Sequence, residues 1–108
     1  MRHQGNAKIT RDKKVKWILA PQAAWRGELA DKVVTPKDNK GRQIKCRELG
    51  KCEGDFDFTY TQHTTRLSPK GTITSLDNGD GRWYTQPAMP NMKYTRFVGY
   101  KVDEDNMT

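Results

Sequence analysis

The sequence predicts a mainly β protein: a small single-domain antiparallel β-barrel or sandwich with at most one short helix and flexible charged termini. Three observations carry that expectation. Turn-forming residues recur at short intervals, at Pro21 and Pro36, in DNKG at 38–41, ELGKCEG at 48–54, SPKG at 68–71, DNGDG at 77–81 and PAMPN at 87–91. One run between them, 55–64, alternates clearly: Phe56, Phe58 and Tyr60 fall on one face, and Asp55, Asp57, Thr59 and Thr61 on the other. Finally, SLDNGDGRWY holds Asn-Gly and Asp-Gly, the strongest local hairpin signal because both dipeptides tolerate positive φ.

Taken in order, residues 1–12 read as a flexible basic arm, 13–102 as the β-domain, and 103–108 as a flexible acidic tail. Residues 13–19 alternate only in part. A helix is expected at 21–31, where Pro21 suits a first helical turn and Trp25 and Leu29 sit four apart. Gly27 weakens it by about 1 kcal/mol relative to alanine. Residues 32–35 are β-branched, and 42–47 carry the alternating Ile44 and Cys46. After the 55–64 strand come 71–76, 82–85 and 92–102. In the last, Tyr94, Arg96, Val98, Tyr100 and Val102 share one face and Phe97 lies opposite.

The 108 residues suffice for one domain with a modest core. Charged residues make up 31% and the mean hydropathy is −1.01, near the polar limit for autonomous folding. The ten aromatics, three of them tryptophan, must therefore supply much of the buried area, and more than half are expected in the core. No apolar run reaches transmembrane length. The basic start MRHQGNAKITRDKK lacks the apolar region of a signal peptide. Together these lead to the expectation of a cytoplasmic or intravirion protein, not secreted and without membrane contact.

Cys46 and Cys52 are separated by five residues, and ten more precede His63, which is poor zinc spacing. A redox C-x-x-C is absent. A hairpin would bring the two thiols within disulfide reach, but a reducing compartment favours free thiols flanking a charged loop. DNGDG lacks the spacing of a calcium loop, so Asp77 and Asp80 read as turn formers. Asp55 and Asp57 lie opposite three aromatics, where a solvated face belongs. A hydrolase or nuclease would need them gathered in a pocket with His63 as base. No nucleophile-elbow, phosphate-loop, zincin or dinucleotide motif occurs. The expectation is a protein without catalytic activity, metal or cofactor.

The net charge of +7 suggests polyanion binding. Residues 1–16 carry six Lys/Arg against one Asp. Further along, GRWYTQ and KYTRFVGYK interleave aromatics with cations, a combination that stacks bases and pairs phosphates on small barrels. The expected nucleic-acid face comprises Lys8, Arg11, Lys13, Lys14 and Lys16 from the basic first sixteen residues, with Arg82, Trp83, Tyr84, Lys93 and Arg96 further along the chain. The function expected is a non-catalytic domain binding nucleic acid or a nucleoprotein assembly. The alternative is a viral or phage-type protein-binding module, a virion subunit or an inhibitor of a host machine, with a protein partner or a homo-oligomer and no nucleic-acid contact.

Overall fold

A computed structural model describes residues 5–22, 25–46, 52–54, 56–79 and 94–108. These are mainly β, with two antiparallel sheets and one short 3-10 helix, and no closed barrel forms among the described residues. Two compact units share the chain: residues 1–58 together with 103–108, and residues 59–102.

In the first unit, β1 (Asn6–Ile9) and β2 (Val15–Leu19) make an antiparallel hairpin, and β1 lies within the stretch read above as an arm. Thr10 builds the turn: its N–H donates to the Lys14 carbonyl and its carbonyl accepts from Lys13, both at 2.9 Å. β2 does not alternate, because Trp17, Ile18 and Leu19 are buried in succession, with Ala20 after them. A strand covered on both faces reads as a continuous apolar run. Its second edge is also used, where Ile18 bridges Val33 in parallel and Val34 N–H donates to the Ile18 carbonyl at 2.9 Å. Val33, Val34, Ile44 and Phe58 complete the buried apolar set.

The expected helix at 21–31 is replaced by a 3-10 helix at Gly27–Lys32. Arg26 is extended (φ −136°, ψ 161°) and Gly27 has φ 63°, so α-geometry cannot run through them. None of its residues is buried. Trp25 instead packs against Ile18, Ala20 and Val33, while Leu29 stays exposed. The DNKG turn forms as read: Asp38 Oδ1 accepts from the Lys40 and Arg42 N–H groups, each at 2.9 Å. These bonds, Arg42 foremost, hold the Asp38 carboxyl below its ordinary pKa.

Cys46 and Cys52 are joined in a disulfide, with Cα atoms 3.9 Å apart. Beside it, Glu53 N–H donates to the Lys45 carbonyl at 2.8 Å. The expectation of free thiols is thus corrected; it rested on an assumed reducing compartment, although a hairpin allowed the bond. Residues 103–108 close on themselves, with Asp103 N–H donating to the Thr108 carbonyl at 2.7 Å. Thr35 N–H donates to the Met107 carbonyl at 2.9 Å.

In the second unit, β3 (His63–Leu67), β4 (Ile73–Asp77) and β5 (Arg96–Tyr100) form a three-stranded meander in that order. SPKG turns β3 into β4: Gly71 N–H donates to the Ser68 carbonyl at 3.0 Å, with Gly71 at φ 80°, a conformation suited to glycine. β5 alternates as expected, with Arg96, Val98 and Tyr100 half-buried and Phe97 75% exposed.

Two expectations change here. The strand at 55–64 starts only at His63, because Thr61 at φ 53° breaks the extended run. Phe56 and Phe58 still meet edge to face, with ring centroids 5.0 Å apart, and Phe58 is core. Both edges of β4 are occupied, by β3 and by β5. The hairpin expected across DNGDG depends on residues 80–85, which lie outside the described residues.

Candidate functional site

Residues 61–64 depart from ordinary backbone and hydrogen-bonding rules more than any other described stretch. Thr61 and Thr64 have φ of 53° and 56°. Left-handed backbone costs a non-glycine residue roughly 1–2 kcal/mol, and β-branched residues tolerate it poorly. Between them, the Gln62 Oε1 is buried without a hydrogen-bond partner among the described residues. Leaving such an acceptor unsatisfied costs about 1–3 kcal/mol. His63 sits in the middle, exposed, with Nδ1 2.8 Å from Thr64 Oγ1. Its Nε2 has no partner among the described residues. Strained residues held by their surroundings cluster at active sites, ligand clamps and switch regions.

The stretch is held by polar side chains of β4. Ser75 and Asp77 are both 0% exposed, the two fully buried side chains among the described residues. Asp77 Oδ1 accepts from Tyr60 N–H at 2.8 Å and Gly79 N–H at 2.9 Å, and its Oδ2 accepts from Arg96 Nε at 2.9 Å. Asn78 Nδ2 donates to the Thr61 carbonyl at 3.0 Å. Ser75 Oγ donates to the His63 carbonyl at 3.2 Å and lies 3.2 Å from Thr65 Oγ1. A buried acceptor set of this kind stabilises an otherwise unfavourable backbone.

Register then arranges the exposed face. His63 pairs with Leu76 and Leu76 with Phe97, so the three form one row across the sheet. In the next row on that face, Arg66 pairs with Thr74 and Thr74 with Gly99. Three residues of β3 span two of β4 between these rows, a bulge that puts His63 and Arg66 on the same side despite their spacing. The result is an imidazole and a guanidinium on the same sheet face as an exposed aromatic ring, with β4 between them.

Among the described residues, several cations of the expected nucleic-acid face are engaged by carboxylates. Lys8 and Lys16 both pair with Glu104, the latter at 2.7 Å, and Trp17 Nε1 donates to the same carboxylate at 2.9 Å. Lys16, Lys8 and Trp17 together hold the Glu104 carboxyl down to about 2. Lys14 lies 3.6 Å from Asp12, and Arg11 and Lys13 are on the β1–β2 turn. Arg96 is taken by Asp77. Arg82, Trp83, Tyr84 and Lys93 lie outside the described residues. No cluster of three or more His, Cys, Asp or Glu is placed to hold a metal among the described residues. Asp77, read as a turn former, and Ser75 and Gln62, not singled out at all, are residues whose roles only burial reveals.

Comparison with known proteins decides among the function classes. A family model described as Arylsulfotransferase (ASST) matches residues 1–108. Over 108 residues the chain is 62% identical to the arylsulfate sulfotransferase AssT of Lelliottia amnigena, covering 99% of this chain and 18% of that protein. It is 60% identical over 108 residues to the arylsulfate sulfotransferase AssT of Escherichia coli O6:H1, with 99% and 18% coverage. The chain thus spans 18% of the length of these curated relatives. These matches overturn the expectation of a non-catalytic, nucleic-acid-binding or viral accessory protein, and the nucleic-acid, nucleoprotein or virion partner with it. A local physical reason goes with this: of the expected cations, Lys8, Lys14, Lys16 and Arg96 are each engaged by a carboxylate of their own unit. The cytoplasmic or intravirion placement falls too, since its thiol argument fails at the Cys46–Cys52 bond.

Proposed function

The chain belongs to the arylsulfotransferase family, and on that premise we propose that it supplies part of the active site of a longer sulfotransferase, with His63 as the group that accepts the sulfuryl group from an aryl sulfate. The observation that carries this reading is the strained, braced stretch 61–64 that presents His63 with Nε2 unpartnered among the described residues.

Sulfuryl transfer needs a nucleophile at sulfur and stabilisation of the departing aryl oxide. A neutral imidazole provides the first. Nε2 attacks sulfur, the sulfur–oxygen bond to the aryl group breaks, and its electron pair leaves with the aryl oxide. Attack on the same sulfur by an acceptor oxygen then returns the imidazole. The Thr64 hydroxyl beside Nδ1 fixes the ring, as the partner of the distal nitrogen does in other histidine sites. Arg66, on the same sheet face, supplies positive charge for the sulfate oxygens. Phe97, one row-mate from Leu76 and 75% exposed, offers a surface for the aryl ring. The Cys46–Cys52 disulfide supports folding in an oxidising compartment such as a bacterial periplasm.

The test uses the whole sulfotransferase carrying this chain with a chromogenic aryl sulfate. His63→Gln should remove turnover, and the quenched parent should carry one added sulfuryl group on the peptide holding His63. Turnover at the parent rate in His63→Gln, or the added group on another residue, would sink the reading.

A further inference from the structure

The carboxylate of Asp77 stands apart from the other acids among the described residues: it is fully buried at the end of β4, and it reaches backbone outside its own strand. We propose that Asp77, locked by Arg96, is the positioning residue that sets His63 for sulfuryl transfer. This inference rests on the reading of His63 given above.

The geometry runs through three contacts. Tyr60 N–H donates to Asp77 Oδ1 at 2.8 Å, three residues before His63. The same oxygen accepts Gly79 N–H at 2.9 Å, and Gly79 N–H also lies 3.2 Å from the Tyr60 carbonyl, so one carboxylate oxygen joins the two chain segments. Arg96 Nε holds Oδ2 at 2.9 Å from the neighbouring strand. With Oδ2 fixed, the carboxylate plane is fixed, and Oδ1 is presented in one orientation to Tyr60. Asn78 grips the next residue, Thr61, through its carbonyl at 3.0 Å.

Thr61, so gripped, stands two residues before His63 at φ 53°. A β-branched residue leaves the left-handed region when released, because an extended backbone relieves its Cβ clash. Release would let β3 continue toward Tyr60 as a regular strand, as the alternating sequence at 55–64 already favours. His63 would then be re-aimed. The Asp77 clasp opposes that relaxation, and Arg96 keeps the clasp oriented. Removing either partner leaves the other in a site where Asp77 is 0% exposed.

A displacement near 1 Å at a reacting group costs about 100-fold in rate, so the effect should appear in kcat. Asp77→Asn keeps the oxygen for Tyr60 but sets an amide against Arg96. It should lower kcat by roughly 10- to 100-fold with KM for the aryl sulfate changed less than about threefold. Arg96→Lys, at the more exposed partner, keeps the charge without the fixed fork and should fall between Asp77→Asn and the parent. In both variants, hydrogen exchange of the Tyr60 amide should accelerate more than exchange in the middle of β4, a local signature that general destabilisation does not give.

Three results overturn the proposal. One is kcat within about twofold of the parent in a folded Asp77→Asn enzyme. Another is loss of activity through KM alone, and the third is Tyr60 exchange unchanged in Arg96→Lys. Where Asp77→Asn does not fold, Arg96→Lys decides through the same two readouts. Turnover surviving in His63→Gln overturns both readings, whereas turnover lost in His63→Gln but kept in Asp77→Asn overturns this one alone.

Discussion

Replacing Cys46 and Cys52 together by alanine should destabilise the first unit by about 2 kcal/mol. The bond links positions six apart in sequence, closing a loop of seven residues. For that length, the chain-entropy relation removes roughly 8 cal/mol/K from the unfolded ensemble, or about 2.4 kcal/mol at room temperature. Lost packing adds little, because both cysteines are only half-buried. The neighbouring backbone bond from Glu53 to Lys45 uses neither thiol, so the substitution acts mainly by giving the unfolded chain freedom.

Urea unfolding of the intact protein, followed through tryptophan fluorescence, reads this out, since Trp17 and Trp25 both report on the first unit. The midpoint should fall in the Cys46→Ala/Cys52→Ala variant, with little change in slope beyond what a less compact unfolded state contributes. The reduced and alkylation-free parent should match that variant, separating the cross-link from the side-chain change. A difference under about 0.5 kcal/mol would place the pair among ordinary surface substitutions and refute the reasoning. So would two titratable thiols in the native, unreduced protein.

Three further outcomes are expected. Glu104→Gln should flatten the acid limb of stability: the parent carboxyl, held down to about 2 from an ordinary 4.5, stabilises the fold above 4.5. That contribution disappears as pH falls from 4.5 through about 2, so thermal unfolding of parent and variant should converge there; parallel curves would refute it. Gly5→Ala should cost about 1–3 kcal/mol, because its new Cβ would lie 2.7 Å from the Cβ of buried Ala20. An unchanged melting temperature would show that the β1–β2 hairpin yields at that point. Phe97→Ala should raise KM for an aryl sulfate about 3- to 10-fold with kcat changed less than twofold. An unaltered KM would remove Phe97 from the aryl surface.

The sequence made the β class legible because its signals are local: short runs, turn residues and alternation each act within a few positions. SPKG and DNKG became the turns they resemble, and Phe97 lies on the face opposite Arg96, Val98 and Tyr100, as the alternation of 92–102 placed it. Expectations failed where tertiary contacts overrode a local pattern. The 55–64 alternation is as regular as any in the chain, yet Asp77, Asn78 and Ser75 hold its second half in a strained form worth more than the strand it interrupts. Nothing in the string DNGDG tells a turn-forming aspartate from a buried clasp, because both uses need the same short acceptor.

The same reasoning explains why a charge count pointed toward a polyanion partner. Net charge measures how many cations a chain has left over, not whether any of them faces a ligand. Here Glu104 takes two cations of the β1–β2 hairpin from 96 and 88 residues away in sequence, and Asp77 takes Arg96 across a strand pair. A single carboxylate shared by two lysines and an indole leaves the formal surplus unaltered while withdrawing those lysines from a common anion-binding face. What the charge count misses is therefore placement. The cation suited to the proposed chemistry is Arg66, set beside His63 by a bulge that no composition or periodicity could reveal.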